Sequence, residues 1–64
     1  MNKIYIVAVQ PNDYIWEKVS QEGYYNLKDA QLFIEGRGDS PYKLTDFKYQ
    51  GTKNIYKIYE IDVK

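Results

Sequence analysis

The chain contains neither cysteine nor histidine, and this absence limits how a domain of only 64 residues can be held together. Small domains bury a smaller share of their surface than large ones, and they commonly depend on disulfides, structural metal ions or self-association. Without cysteine there is no disulfide, and the usual ligands of structural zinc are missing. We therefore expect one α+β domain over residues 1–64 that is stabilised by packing, with self-association as the remaining support.

Eight tyrosines are the second unusual feature of the chain. Their large amphipathic side chains bury much area per residue, and they also suit contacts with other molecules. The side chains that most often carry nucleophilic, acid/base and soft-metal chemistry are absent, and the carboxylates are scattered without a pair placed for acid/base work. We interpret the chain as a binding protein and not an enzyme, with no catalytic residue, no metal and no cofactor.

The charges indicate neither a general nucleic-acid binder nor a membrane protein. Nine basic and nine acidic residues cancel, so the chain lacks the electrostatic footprint of a general DNA-binding protein. No apolar run is long enough for a signal peptide or a membrane span. We expect a cytoplasmic protein without a membrane partner.

Two β-hairpins are predicted, one on each side of a helix. Residues 3–10 are apolar on both alternating faces, which is typical of a central strand. Residues 11–13 have turn chemistry, and residues 14–21 form a half-apolar second arm that is expected at an edge. The second hairpin has its arms at residues 42–50 and 54–63, and the apolar phase of each predicts a bulge or a late strand start.

The helix between the hairpins has recognisable ends. Asn26 is a favoured N-cap residue, and Asp29 places negative charge in the first turn, where the helix dipole favours it. Gly36 is expected to end the helix in a left-handed conformation. The apolar stripe of the helix consists of Leu27, Ala30, Phe33 and Ile34.

This order of elements predicts an α+β fold with a four-stranded antiparallel sheet and one short helix on one face, in the order ββαββ. We expect Ile4, Ile6 and Ala8 under the helix, and Tyr5, Val7 and Val9 on the bare face. A sheet face with several aromatic residues and no cover is a candidate interaction surface. The predicted partner-binding residues are Tyr5, Val7, Trp16, Phe47, Tyr49 and Tyr56.

The sequence leaves two kinds of binding open. We favour non-catalytic binding to another protein through the aromatic face, since tyrosine and tryptophan commonly anchor such interfaces, and a homodimer through the same face is equally compatible. The alternative is single-stranded nucleic acid, stacked on aromatic rings and held by lysines. The residues of this alternative are Lys48, Tyr49, Lys53, Tyr56, Lys57 and Tyr59. The net charge of zero and the absence of an RNA-recognition consensus count against it.

Residues 37–41 spell RGDSP, which resembles the integrin-binding tripeptide of extracellular adhesion proteins. Adhesion is therefore a third interpretation. An ordinary turn explains the same letters, because Gly38 can end the helix, Asp39 and Ser40 favour a turn, and Pro41 prevents the helix from resuming. We prefer the turn.

Residues 27–38, LKDAQLFIEGRG, precede a closing arm with the sequence YKIYEIDV. Together they resemble the small uncharacterised proteins carried by phages and prophages of Gram-positive bacteria, in which the helix opening L-x-D-A-x-x-F-I is widespread. The resemblance implies a role as an inhibitor that binds a host or defence protein in the host cytoplasm. It assigns no role to any single residue.

Overall fold

The computed structural model describes the backbone of residues 2–63 and the side chains of this range except those of residues 20–22. One antiparallel sheet and one helix form an α+β fold. The elements in chain order are β1 (Asn2–Pro11), β2 (Lys18–Tyr24), α1 (Leu27–Glu35), β3 (Tyr42–Thr45), β4 (Lys48–Gln50) and β5 (Asn54–Val63). Their order across the sheet is β2-β1-β5-β4-β3, so β2 and β3 are the edge strands.

The prediction of four strands is wrong, because residues 42–50 form two strands and the sheet has five. The chain reverses at Asp46 and Phe47, where the Phe47 amide donates a hydrogen bond to Thr45 Oγ1 at 3.1 Å. Leu44 and Phe47 have a spacing that does not fit one regular strand, and the reversal explains it. The order of elements is therefore ββαβββ.

The first hairpin is present, but its second arm begins later than predicted. β2 starts at Lys18 and not at residue 14, and residues 12–17 form a loop. The Tyr14 amide donates to the Pro11 carbonyl at 3.0 Å, and Gln10 Nε2 donates to the Tyr14 carbonyl at 2.8 Å. Because the backbone of Tyr14 makes these bonds within the loop, Tyr14 does not pair with β1. The central position of β1 and the edge position of β2 are confirmed.

The helix begins as predicted and ends differently. Asn26 has the extended conformation of an N-cap residue, although its side chain makes no capping hydrogen bond to the backbone. Gly36 has a φ of −84°, so the expected left-handed stop at this residue is wrong. The positive φ angles lie further on, at Gly38 (79°) and Ser40 (49°). The chain makes one more turn before it reverses, because the Arg37 amide still donates to the Ile34 carbonyl at 3.2 Å.

The helix covers the opposite face of the sheet from the one expected. Ala30 and Ile34 of α1 are buried against a cluster of sheet side chains, and Tyr5 and Val9 pack at its margin. The sheet residues of this cluster are Val7, Tyr49, Tyr56 and Ile58. The expectation that Ile4, Ile6 and Ala8 lie under the helix is therefore wrong. The Tyr5, Val7 and Val9 side of β1 is the covered face.

The hydrogen bonds of two tyrosine hydroxyls are consistent with the helix covering this face of the sheet. Tyr49 Oη donates to Glu35 Oε2 at 3.2 Å, and Tyr56 Oη donates to Asp39 Oδ2 at 2.9 Å. Each ring is buried while its polar tip meets a carboxylate at the margin of the helix layer, as suits an amphipathic side chain. Burial and the hydrogen bond to Glu35 raise the pKa of Tyr49. Isoleucine side chains in these places would leave the carboxylates without these donors.

Candidate functional site

One face of the sheet has no helix on it in the part of the chain that the structure describes. The register pairs Ile4 with Ile61 and Ile6 with Tyr59, and side chains of paired residues share a face. The open face, as we name it, has the apolar residues Ile4, Ile6, Ala8, Val19, Ile55, Tyr59, Ile61 and Val63 and the polar residues Asn2, Gln10, Lys48, Gln50 and Lys57. Ala8 is buried within it. Ile4 and Ile6 are half-buried, and Ile61 is exposed. Contiguous apolar surface of this kind commonly marks an interaction site.

The loop between β1 and β2 adds three strongly exposed apolar or aromatic side chains. Ile15 is 85% exposed and Trp16 is 76% exposed, and Tyr14 beside them is also exposed. We call residues 14–17 the aromatic loop. The hydrogen bonds of Tyr14 to Pro11 and Gln10 fix the base of this loop. Because these bonds already restrict the backbone of the loop, less backbone entropy is lost when the loop binds.

Glu17 connects the aromatic loop to the open face. Tyr59 Oη donates to Glu17 Oε1 at 2.6 Å, and Lys57 Nζ lies 3.7 Å from Glu17 Oε2. The hydrogen bond to the Glu17 carboxylate, with a smaller contribution from burial, raises the pKa of Tyr59. Tyr59 and Lys57 pair with Ile6 and Ala8, so both project from the open face. The Glu17 end of the aromatic loop therefore lies on the same side of the sheet as the open face.

The predicted partner-binding residues do not come together. Val7, Tyr49 and Tyr56 are buried in the core, and Tyr5 is half-buried on the same covered face. Trp16 is exposed beside the open face, whereas Phe47 is exposed in the turn between β3 and β4. The prediction that these residues form the uncovered face of the sheet is therefore wrong. Of the predicted set, only Trp16 belongs to the surface that the structure leaves bare.

Sequence reasoning missed Ile4, Ile6, Ile15, Ile61 and Val63 as surface residues, and it named Tyr59 only for the nucleic-acid alternative. A signal for them was present, because Ile58 and Ile61 point to opposite faces of a regular strand. From the sequence alone, that phase predicts a bulge or a late start of β5. Instead β5 pairs with β1 without interruption over ten residue pairs, and each of its faces has apolar side chains among polar ones. One face meets the helix, and the other is the open face.

The residues of the nucleic-acid alternative are divided between the two faces. Tyr49 and Tyr56 are buried under the helix, whereas Tyr59 lies on the open face. Lys57 lies close to Glu17 and is partly neutralised by it. The rings that were to stack bases are therefore not available together on one surface.

The RGDSP segment is used by the fold itself. The Asp39 carboxylate accepts hydrogen bonds from the Lys53 amide at 3.0 Å, from the Asn54 amide at 3.1 Å and from Tyr56 Oη at 2.9 Å. The Arg37 guanidinium lies 5.7 Å from the centroid of the Tyr56 ring and equally far from that of Phe33. Both charged ends of the tripeptide have partners inside the molecule. The segment therefore anchors the turn between β4 and β5.

Acid is expected to weaken this anchor. Burial alone would raise the pKa of Asp39, but the hydrogen bonds from Tyr56, Lys53 and Asn54 outweigh it and hold that pKa below its ordinary value. Because the folded-state pKa is the lower one, the stabilisation is complete above about pH 4, the ordinary pKa of aspartate, and is lost as the pH falls through the folded-state value. We expect Asp39→Asn to lower the melting temperature at pH 7 and to flatten its fall below pH 4. Parallel melting curves for the two proteins across this range would contradict the assignment.

The chain matches no protein-family model, no curated protein and no solved structure. No helix within residues 2–63 has the length and apolar character needed to cross a membrane. Among the side chains that the structure describes, no group of three or more His, Cys, Asp or Glu residues could hold a metal ion. The open face and the aromatic loop are therefore the features from which a function can be argued.

Proposed function

We propose that this chain is a non-catalytic protein-binding module whose binding surface consists of the open face and the aromatic loop. The observation that carries the proposal is the bare apolar face together with the exposed Trp16, whose neighbour Glu17 accepts a hydrogen bond from Tyr59 of that face. Tryptophan and tyrosine are the residues that most often dominate protein interfaces, and a tethered loop reduces the entropy cost of binding. The chain also lacks the histidine and cysteine side chains on which much enzyme chemistry depends.

The acidic residues of β5 leave one end of the open face apolar. Glu60 and Asp62, the neighbours of Ile61 in β5, point to the covered side, where Lys3 Nζ lies 2.9 Å and 4.0 Å from their carboxylates. The end of the open face near Ile61 is therefore apolar and is not lined by these charges. Interfaces between proteins have such apolar, charge-depleted centres. The prediction that the partner is a host or defence protein in the host cytoplasm rests on the phage resemblance alone.

The test is protein capture by immobilised variants that differ by one exposed side chain. Ile61→Ser and Trp16→Ser are expected to reduce capture at least tenfold, which corresponds to about 1.4 kcal/mol, because each removes an apolar anchor. Leu32→Ser is the matched control, since Leu32 is 52% exposed on the helix, on the other side of the sheet. Two samples are passed over each immobilised variant: a cell lysate and the purified untagged chain.

Circular dichroism of each variant verifies that the fold is intact, because these side chains are solvent-exposed and contribute little to the core. Proteins that are retained by Leu32→Ser and lost by the other two variants support the proposal. The proposal fails if nothing is captured, or if all three variants capture the same proteins equally.

A further inference from the structure

The open face and the aromatic loop together have a stepped shape. The exposed apolar part of the open face lies along β1 and β5, from Ile6 and Tyr59 to the far end of the sheet, where Ile4 lies beside Ile61. Gln10 and Lys57 lie at the other end of this face, near the aromatic loop. The Glu17 end of the aromatic loop is fastened there, on the same side of the sheet. The molecule thus has the exposed side chains of the aromatic loop near one end of the sheet and the exposed apolar part of the open face at the other.

The side of the molecule that has the open face is about as large as one partner's share of a standard protein interface. The molecule measures 36 × 21 × 18 Å, and strands of ten residues are about 33 Å long, so its long dimension runs along β1 and β5. The broad side therefore has an outline of about 760 Å² (36 × 21 Å), which includes its polar residues. A standard protein interface buries about 800 Å² on each partner. A stable complex through the open face and the aromatic loop therefore has to use most of this side.

The partner that fits a stepped apolar surface of this kind is another surface of the same kind. We propose, building on the function proposed above, that the open face binds a second copy of this chain. The two-fold axis lies between the two sheets and runs across the strands. This rotation turns one open face onto the other and reverses the strand direction, so the Trp16 of each copy lies over the Ile61 and Val63 end of its partner. Such an interface is isologous, as in most homodimers.

Two further observations favour this occupant. The far end of the open face is apolar because Glu60 and Asp62 face away from it, so a partner that brings Trp16 and Ile15 does not bury an unpaired carboxylate there. A chain of 7.6 kDa without disulfides also gains core area by covering one more sheet face. The dimer is then a two-sheet sandwich with a helix on each outer side.

The experiment uses the fact that Trp16 is the only tryptophan of the chain. Sedimentation velocity is measured together with tryptophan emission from micromolar to millimolar concentration. We expect the mass to rise from 7.6 kDa to about twice that value, with a parallel shift of the emission to shorter wavelength as Trp16 becomes covered. Ile61→Ser is expected to weaken the dimer at least tenfold, and Leu32→Ser is expected to leave it unchanged.

A mixing experiment tests the contact itself. The Ile61→Ser chain retains Trp16 but lacks one apolar side chain of the open face. The Trp16→Ser chain has an unchanged open face and no tryptophan. Adding the second chain to the first restores one intact contact, so the emission of the only tryptophan in the mixture is expected to shift to shorter wavelength. A dimer in which Trp16 emission stays unchanged overturns the arrangement. A monomer at every concentration overturns self-association, while capture of other proteins that depends on Ile61 still upholds the proposed function.

Discussion

Tyr56→Ala is expected to unfold most molecules at 25 °C. Tyr56 is fully buried between the sheet and the helix, and its hydroxyl donates to Asp39. Truncating a buried aromatic residue to alanine costs about 3–5 kcal/mol, and a domain of this size rarely has more than about 3–5 kcal/mol in total. Far-UV circular dichroism and urea unfolding measure the loss directly.

Tyr59→Ala is the matched control, because Tyr59 is in the same strand but is 41% exposed on the open face. We expect it to cost less than about 1 kcal/mol of stability, and to weaken binding because the contact with Glu17 is lost. The pair separates the two faces of β5, because one substitution is expected to unfold the chain and the other is expected to weaken the proposed binding. A Tyr56→Ala protein with a wild-type unfolding midpoint would contradict the packing of the covered face.

Gly51→Ala is expected to lower the free energy of unfolding by about 2–3 kcal/mol. An added Cβ at this buried position would overlap the Asp39 carboxylate and lie 2.8 Å from Cε2 of the Tyr56 ring. Neither neighbour can move freely, since Asp39 is held by Lys53 and Asn54. Chemical denaturation of the purified variant measures this loss.

Gly36→Ala is the control for this substitution. Its φ of −84° is ordinary for alanine, and the nearest atom to an added Cβ is the Leu32 carbonyl oxygen at 3.3 Å. We expect its effect to stay within about 1 kcal/mol. Equal losses for the two variants would show that crowding at the Asp39 anchor is not the cause.

The sequence was sufficient for the elements whose signals are local. Asn26 and the apolar stripe of α1 predicted where the helix begins and which of its residues are buried, and β1 and β5 were placed nearly to their ends. The division of residues 42–50 into β3 and β4 was missed, because Asp46 and Phe47 lack the glycine that usually marks a two-residue reversal. The bond from the Phe47 amide to Thr45 Oγ1 takes part in this turn.

The covered face could not be predicted from alternation, since β1 is apolar on both faces. Tyr5 and Val7 on one side and Ile4 and Ile6 on the other satisfy the same pattern. What distinguishes the two sides is a set of distant partners, namely the carboxylates of Glu35 and Asp39 that receive the tyrosine hydroxyls. Such pairings are visible only after the chain has folded. The existence of a bare apolar face was therefore predictable, and its residues were not.

The pairing of β1 with β5 also determines when a binding surface can exist during folding. The ladder extends from Asn2 and Val63 to Pro11 and Asn54, so it closes over almost the whole sequence. Contacts between such distant residues form late and slow a folding reaction, and a two-stranded hairpin alone is at best marginally stable. During synthesis the open face therefore does not form until residues 54–63 have left the ribosome. Folding and the ability to associate arise in the same step.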